Sequence, residues 1–77
     1  MGPEVDRAQV REGMVVIGTD AERIGKVKQV RGTDFLINRS LQRDIYVPFG
    51  AIQIITDDGI VLTMSAEQVD GADWPRP

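Results

Sequence analysis

The chain reads IQIITDDGIVLTM from Ile52 to Met64, and this stretch decides the fold. Runs rich in β-branched residues, which favour extended backbone, lie on both sides of Asp57-Asp58-Gly59. An aspartate followed by a glycine suits a tight turn that needs a positive φ. The stretch therefore predicts a β-hairpin.

Shorter apolar runs of the same kind lie upstream, each bounded by turn residues or proline. They are Met14-Val15-Val16-Ile17, Phe35-Leu36-Ile37 and Asp44-Ile45-Tyr46-Val47. The last run ends at Pro48, because proline cannot donate a ladder hydrogen bond, and a single helical turn is expected between Pro48 and Ala51. A small sheet usually removes its edges by closing on itself. We therefore predict an all-β fold, a small six-stranded antiparallel barrel with short helical turns at its ends.

The segment from Ala21 to Arg31 is open to two interpretations. Its apolar residues are Ala21, Ile24, Val27 and Val30. Their spacing is typical of a helix, which Asp20 and Gly32 could cap. Against a helix, Gly25 would cost about 1 kcal/mol, and most of these apolar residues are β-branched. The pattern favours a strand, either covered on both faces or containing a bulge near Lys28-Gln29.

Composition places the chain among small ordered domains. It has 77 residues, 42% apolar and 27% charged, with a net charge of −3 and neither cysteine nor histidine. Chains this short often depend on disulfides, metals or partner subunits. Disulfides and zinc need cysteine or histidine, so among metals only an oxygen-ligand cation such as calcium or magnesium remains possible. A partner subunit is the favoured option, and we expect a homodimer. No signal peptide or membrane span is visible, which predicts a cytoplasmic protein.

The two ends differ from the centre. We expect residues 1–5 to be a flexible N-terminus, residues 6–69 to form the barrel domain and residues 70–77 to be a C-terminal tail. The polar stretch from Asp6 to Glu12 predicts a single helical turn. Ser65-Ala66-Glu67-Gln68 has the form of a capping box and predicts the start of a second short helix.

No set of residues predicts catalysis. Without histidine or cysteine, a general base would have to be a carboxylate, lysine or tyrosine with a shifted pKa. The adjacent acids Asp57 and Asp58 lie where the hairpin needs turn residues, and the ligand spacing of a calcium loop is missing. A barrel this small is normally filled by its own side chains. We expect a non-enzyme with no cofactor, metal or small-molecule ligand.

Basic residues crowd the ambiguous segment. They are Arg23, Lys26, Lys28 and Arg31. In a strand, Lys26 and Lys28 share a face and form a positive stripe on an acidic protein. The simplest interpretation is a solvated strand face. The functional alternatives are contact with RNA, which usually also needs aromatic side chains for base stacking, or contact with an acidic patch of a protein.

Trp74 is the only tryptophan and lies in a tail that ends Trp-Pro-Arg-Pro. Such a side chain either folds back over an apolar end of the barrel or anchors a partner. Because the domain has a small core, folding back is favoured.

The opening run from Gly13 to Asp20, followed by Ile24-Gly25-Lys26-Val27, Tyr46-Val47-Pro48-Phe49 with Ile52, and Val61-Leu62, resembles the PRC-barrel superfamily. More closely, it is similar to small stand-alone bacterial PRC-barrel-like domains of unknown function. The likeness covers Asp6 to Val69 and implies a six-stranded barrel-like sheet with a strand over Ala21–Arg31. Those domains usually have glycine where this chain has Ala21. Alanine tolerates positive φ poorly, which implies a longer or different turn here.

PRC-barrel relatives include the cytoplasmic domain of the photosynthetic reaction centre H subunit and the C-terminal domain of a ribosome-maturation factor. Both dock onto other macromolecules. The resemblance therefore implies a non-enzymatic protein-interaction or adaptor module that self-associates. The alternative hypothesis is an RNA- or ribosome-associated barrel. The candidate interaction surface comprises Arg23, Lys26, Lys28, Arg31 and Trp74.

Overall fold

The computed structural model describes residues 9–39 and 42–77. The strands are β1 (Val15–Ile17), β2 (Arg23–Val30), β3 (Asp34–Asn38), β4 (Ile45–Pro48), β5 (Ile52–Thr56) and β6 (Gly59–Leu62). A 3₁₀ helix (Phe49–Ala51) joins β4 to β5, and one α-helix, α1 (Ala66–Gly71), follows β6. The proposed flexible N-terminus and residues 6–8 of the helical turn expected over Asp6–Glu12 lie outside the described residues.

The six strands form one sheet in the order β4-β3-β2-β1-β6-β5. All neighbours are antiparallel except β1 and β6, which are parallel. The prediction of a wholly antiparallel barrel was therefore wrong at this pair. The 3₁₀ helix turns the chain through a corner without reversing it, so β4 and β5 keep the same direction and β6 returns alongside β1.

The prediction of a closed barrel was also wrong, because the sheet curls into an open half-barrel. Strands β4 and β5 are its two edges and share no ladder in the part of the chain that the structure describes. The 3₁₀ helix connects the two edges at one end, and buried Phe49 contributes its ring to the core. The Phe49 ring lies 5.6 Å from that of Phe35, centroid to centroid.

The core lies inside the curl of the sheet. Its fully buried side chains are Val16, Phe35, Ile37, Val47, Ile60 and Leu62. Helix α1 contributes Val69, which is almost completely buried. The predicted capping box starts this helix: Gln68 N donates to Ser65 Oγ at 3.2 Å, and Ser65 N donates to Gln68 Oε1 at 2.9 Å.

The segment Ala21–Arg31 forms a strand with a bulge, as the pattern favoured. Along the ladder with β3, Val27 pairs with Ile37 and Gln29 pairs with Leu36, so Lys28 is the extra residue. Lys28 belongs to the pair of residues where the bulge was expected.

The first turn differs from what the resemblance implied. Ala21 adopts a φ of +64° in a short loop, so the turn is neither longer nor adapted to avoid a positive φ. Ala21 N donates to Gly18 O at 3.0 Å, and Gly18 N donates to Glu22 O at 2.9 Å. These bonds are the pattern of a three-residue hairpin loop whose last residue is left-handed, a position that glycine usually fills.

Candidate interaction surface

A groove of about 540 Å³ runs along the first half of β2. Its lining consists of Arg23, Ile24, Gly25, Lys26 and Asn38. Two of the basic residues that the sequence singled out therefore line one concave surface, together with a side-chain amide and exposed backbone. Such a surface offers hydrogen-bond donors and positive charge to a ligand that presents acceptors.

Gly25 allows β2 and β3 to approach each other closely beside this groove. A Cβ at this position would collide with the carbonyl of Asn38 on β3 and would also touch the Arg39 side chain. In the register with β1, Val16 pairs with Gly25 and Ile17 pairs with Arg23. Ile24 is therefore the extra residue of a β-bulge. Bulges of this kind re-aim side chains at a strand end.

Lys28 is engaged by an acid of the same chain. Its Nζ lies 3.1 Å from Oδ2 of Asp44, which precedes β4, so the pair reaches across β3. The Lys28 side chain remains 56% exposed. Part of its charge is therefore neutralised within the molecule.

Arg31 is held more closely. Its guanidinium donates two hydrogen bonds to Asp34, at 2.6 and 2.7 Å, and lies over the Tyr46 ring at 3.8 Å from the centroid. The hydrogen bond from Arg31 lowers the pKa of Asp34 and, reciprocally, raises the pKa of Arg31. A bidentate, stacked guanidinium has little freedom to contact a partner.

Arg23 and Lys26 differ from these two residues. Both are exposed, and neither forms an ion pair with any residue among 9–39 and 42–77. The four basic residues that the sequence singled out are thus divided. Among the described residues, the two at the groove have no ion pair, whereas Lys28 and Arg31, toward the β2–β3 turn, are paired. The predicted stripe of Lys26 and Lys28 therefore contains one residue of each kind.

Trp74 lies away from that groove, partly buried against the core. The tail that carries it also contacts the edge of the sheet, where Tyr46 N donates to Pro75 O at 2.9 Å. This is the folded-back arrangement that the sequence favoured. Whether Trp74 also contacts a partner stays a prediction.

One polar contact, made by Arg39, is not visible in the sequence pattern. Arg39 is only 8% exposed and donates to the Arg43 carbonyl at 2.8 Å and to Asp70 Oδ1 at 2.9 Å. It links the end of β3 to the last turn of α1. No local pattern could have found this pair, because its two members are 31 residues apart.

In the described ranges, no group of three or more acidic side chains converges as a metal site would require. The acids Asp57 and Asp58 are exposed at the tip of the β5–β6 hairpin, as the turn interpretation expected. No helix among the described residues is long and apolar enough to span a bilayer.

The fold and surface of the described residues define a small β domain: a mixed, six-stranded half-barrel with one short α-helix and a groove lined by two basic side chains. A family model described as "Uncharacterized protein conserved in bacteria (DUF2171)" matches residues 10–70, and the chain belongs to this family. No curated protein matches the chain. The family match confirms the expectation of a bacterial domain of unknown function, whereas membership of the PRC-barrel superfamily stays a prediction.

Proposed function

We propose that this protein is a non-enzymatic protein-interaction module that binds an acidic segment of a partner in the β2 groove. The observation that carries the proposal is the position of Arg23 and Lys26, which line the groove and form no ion pair in the described part of the chain. Carboxylates would accept from these cations, and Asn38 would add an amide donor.

The charge distribution favours an acidic protein segment over RNA. Nucleic acids bind through many phosphate contacts, and this chain carries a net charge of −3. Of the four basic residues between Arg23 and Arg31, Lys28 is already paired with Asp44 and Arg31 with Asp34. The aromatic residues nearby also offer no free stacking surface, since Phe35 is buried and Arg31 covers Tyr46.

The shape of the sheet supports the fold class that we propose, and the compartment is proposed together with that class. A curled six-stranded sheet whose fourth strand ends at Pro48 before a helical turn supports a PRC-barrel-like domain. A cytoplasmic adaptor that self-associates is consistent with that class. Fold alone does not define function, so the groove carries the proposal.

The test is a titration of the ¹⁵N-labelled protein at low salt with a short polyglutamate peptide and, separately, with an oligouridine of equal length. We expect the peptide to shift the amide signals of Gly25, Lys26 and Asn38. A variant with Arg23→Glu and Lys26→Glu should lose this response. The matched control, Arg11→Glu with Arg43→Glu, makes the same change in net charge outside the groove and should keep it.

The outcomes separate the two candidate functions. Shifts with oligouridine that exceed those with the peptide would replace the proposal with RNA binding. Equal loss of peptide binding in both double variants would show that net charge, not the groove, attracts the peptide. The absence of any shift would contradict an acidic-ligand site.

A further inference from the structure

The two edge strands of the sheet, β4 and β5, differ in how their outer backbone groups are protected. On β4, Tyr46 N donates to the carbonyl of Pro75, and Pro48 has no N–H to offer. On β5, the sequence Ile-Gln-Ile-Ile-Thr has no charge or proline, and its outer edge pairs with no strand in the described residues. Natural sheets normally protect an edge with charge, proline or a covering segment. β5 carries a bulge at Gln53, but the strand contains neither a charged residue nor a proline.

An apolar row on the outer face of the sheet leads to this edge. Ile17 of β1 pairs with Val61 of β6, which pairs with Ile54 of β5. The neighbouring pairs Val16–Ile60 and Ile55–Ile60 face the core, so this row faces outward. Its exposure is greatest at the edge, where Ile54 is 51% exposed.

Another part of the outer face is covered by the chain itself. Leu36 of β3 faces away from the core residues Phe35 and Ile37, yet it is 6% exposed. It lies opposite Tyr46, whose ring is stacked under Arg31. The outer face is therefore covered at Leu36, whereas the apolar row at Ile54 is not covered.

We propose that a second copy of this chain adds its β5 antiparallel to this β5, with Ile54 on the twofold axis. A twofold contact requires a self-complementary surface. Pairing at Ile54 meets this requirement, because the row Ile17, Val61, Ile54 continues directly into Ile54, Val61, Ile17 of the partner subunit. The β2 groove takes no part, so this inference does not depend on the proposed function.

The charges of the hairpin are compatible with this register. Counting outward from Ile54, Asp57 and Asp58 of one copy come beside the uncharged Phe49–Ala51 turn of the other. The acidic tips therefore lie at opposite ends of the paired strands and do not repel each other directly. The pairing also buries apolar surface in a domain that has little core of its own.

The first experiment measures the molar mass of the intact protein by sedimentation equilibrium over a wide concentration range. We expect wild type to form a dimer, and Ile54→Lys to raise the dimer dissociation constant by at least about tenfold, because a charge replaces an apolar contact. Val30→Lys is the matched control: among the described residues, Val30 is the other exposed large apolar residue, at 37%, and it lies on β2. This variant should dimerise like wild type.

The second experiment places a thiol at the proposed axis. The chain has no cysteine, so Ile54→Cys introduces a single reactive site. Directly opposed residues of antiparallel strands have Cα atoms about 4.5–5.5 Å apart, which suits a disulfide. We expect Ile54→Cys to form a covalent dimer under mild oxidation much faster than Val30→Cys. A monomeric wild type, a dimer unaffected by Ile54→Lys, or equal oxidation rates for the two cysteine variants would overturn the inference.

Discussion

At the scale of single residues, Ala21 carries the most unusual backbone conformation in the described chain. It is the only residue other than glycine with a positive φ among 9–39 and 42–77. The left-handed region brings Cβ close to the following carbonyl, which costs an L-residue about 1–2 kcal/mol. The loop tolerates this cost because Gly18, at its other end, holds it with two backbone hydrogen bonds.

We therefore expect Ala21→Gly to increase the free energy of unfolding by about 1 kcal/mol, since glycine removes the Cβ repulsion. Urea unfolding followed by the fluorescence of Trp74 measures this change. The control is Ala72→Gly, at an ordinary φ of −73°, which should lower the stability slightly through chain entropy. Equal effects at the two positions would show that Ala21 is not strained.

Asp34 is the residue whose ionisation is most clearly linked to folding. Arg31 lowers the pKa of Asp34 in the folded chain, so the folded state binds this proton less readily than the unfolded state. The resulting stabilisation is fully present above the unfolded pKa of about 3.9. It is lost as the pH falls from there through the lower folded pKa.

Asp34→Asn should consequently destabilise the protein at neutral pH and have a smaller effect as the pH is lowered below about 4, where wild type loses the same interaction. Urea unfolding of both proteins at several pH values gives the difference. Asp73→Asn serves as the control, because Asp73 forms no ion pair within the described ranges. A difference between Asp34→Asn and wild type that is independent of pH would contradict the linkage.

At the scale of elements, the sequence predicted the positions of strands and turns better than it predicted which strands pair and in which direction. The hairpin around Asp57-Asp58 and the strand over Ala21–Arg31 are visible locally, since β-branched runs, glycines and a bulge leave their mark in the pattern. The parallel β1–β6 pair is not visible, because it depends on the route of the chain through the Phe49–Ala51 corner. That route depends on packing between distant segments.

The candidate surface was predictable to the same degree. The sequence identified the four basic residues from Arg23 to Arg31, but not which of them lack an ion pair among the described residues. Asp34 lies three residues from Arg31 and could have suggested an ion pair, whereas Asp44 reaches Lys28 only after β3 has paired with both neighbouring strands. The groove itself needs the backbone approach of Gly25 to Asn38, which no composition reveals.

The contact between β3 and α1 gives the prediction at this scale. Arg39 and Asp70 form a partly buried, charge-assisted hydrogen bond, and such bonds contribute about 1.5–3 kcal/mol. Arg39→Met keeps much of the side-chain stem but removes this bond and the one to Arg43 O, so we expect a loss in that range. Asp70→Asn should cost less, because the Asp70 side chain is half exposed.

A double-mutant cycle in urea then isolates the pair. The double variant should be more stable than the sum of the single effects implies, with a coupling of about 1 kcal/mol. The exposed pair Lys28–Asp44 is the comparison, and its coupling should be below about 0.5 kcal/mol. A larger coupling for that pair than for Arg39–Asp70 would refute the assignment of Arg39 as the link to α1.

At the scale of the whole molecule, the open half-barrel relates stability to assembly. The radius of gyration is 11.2 Å, close to the value of about 11.5 Å expected for a compact domain of this length. Buried Phe49, in the connection between β4 and β5, packs into the core, and the tail contacts β4 through the hydrogen bond from Tyr46 N to Pro75 O. The exposed edge of β5 is the place where additional apolar burial is still available to the fold.

If two copies pair through β5, unfolding includes dissociation, and the midpoint of thermal unfolding depends on protein concentration. We expect the Tm of wild type to rise steadily as the concentration increases, because mass action favours the folded dimer. Ile54→Lys should show a Tm that does not change with concentration. Val30→Lys should follow wild type, since its substitution leaves the β5 edge intact. A concentration-independent Tm in wild type would mean that the half-barrel is stable as a monomer and that its open edge needs no second copy.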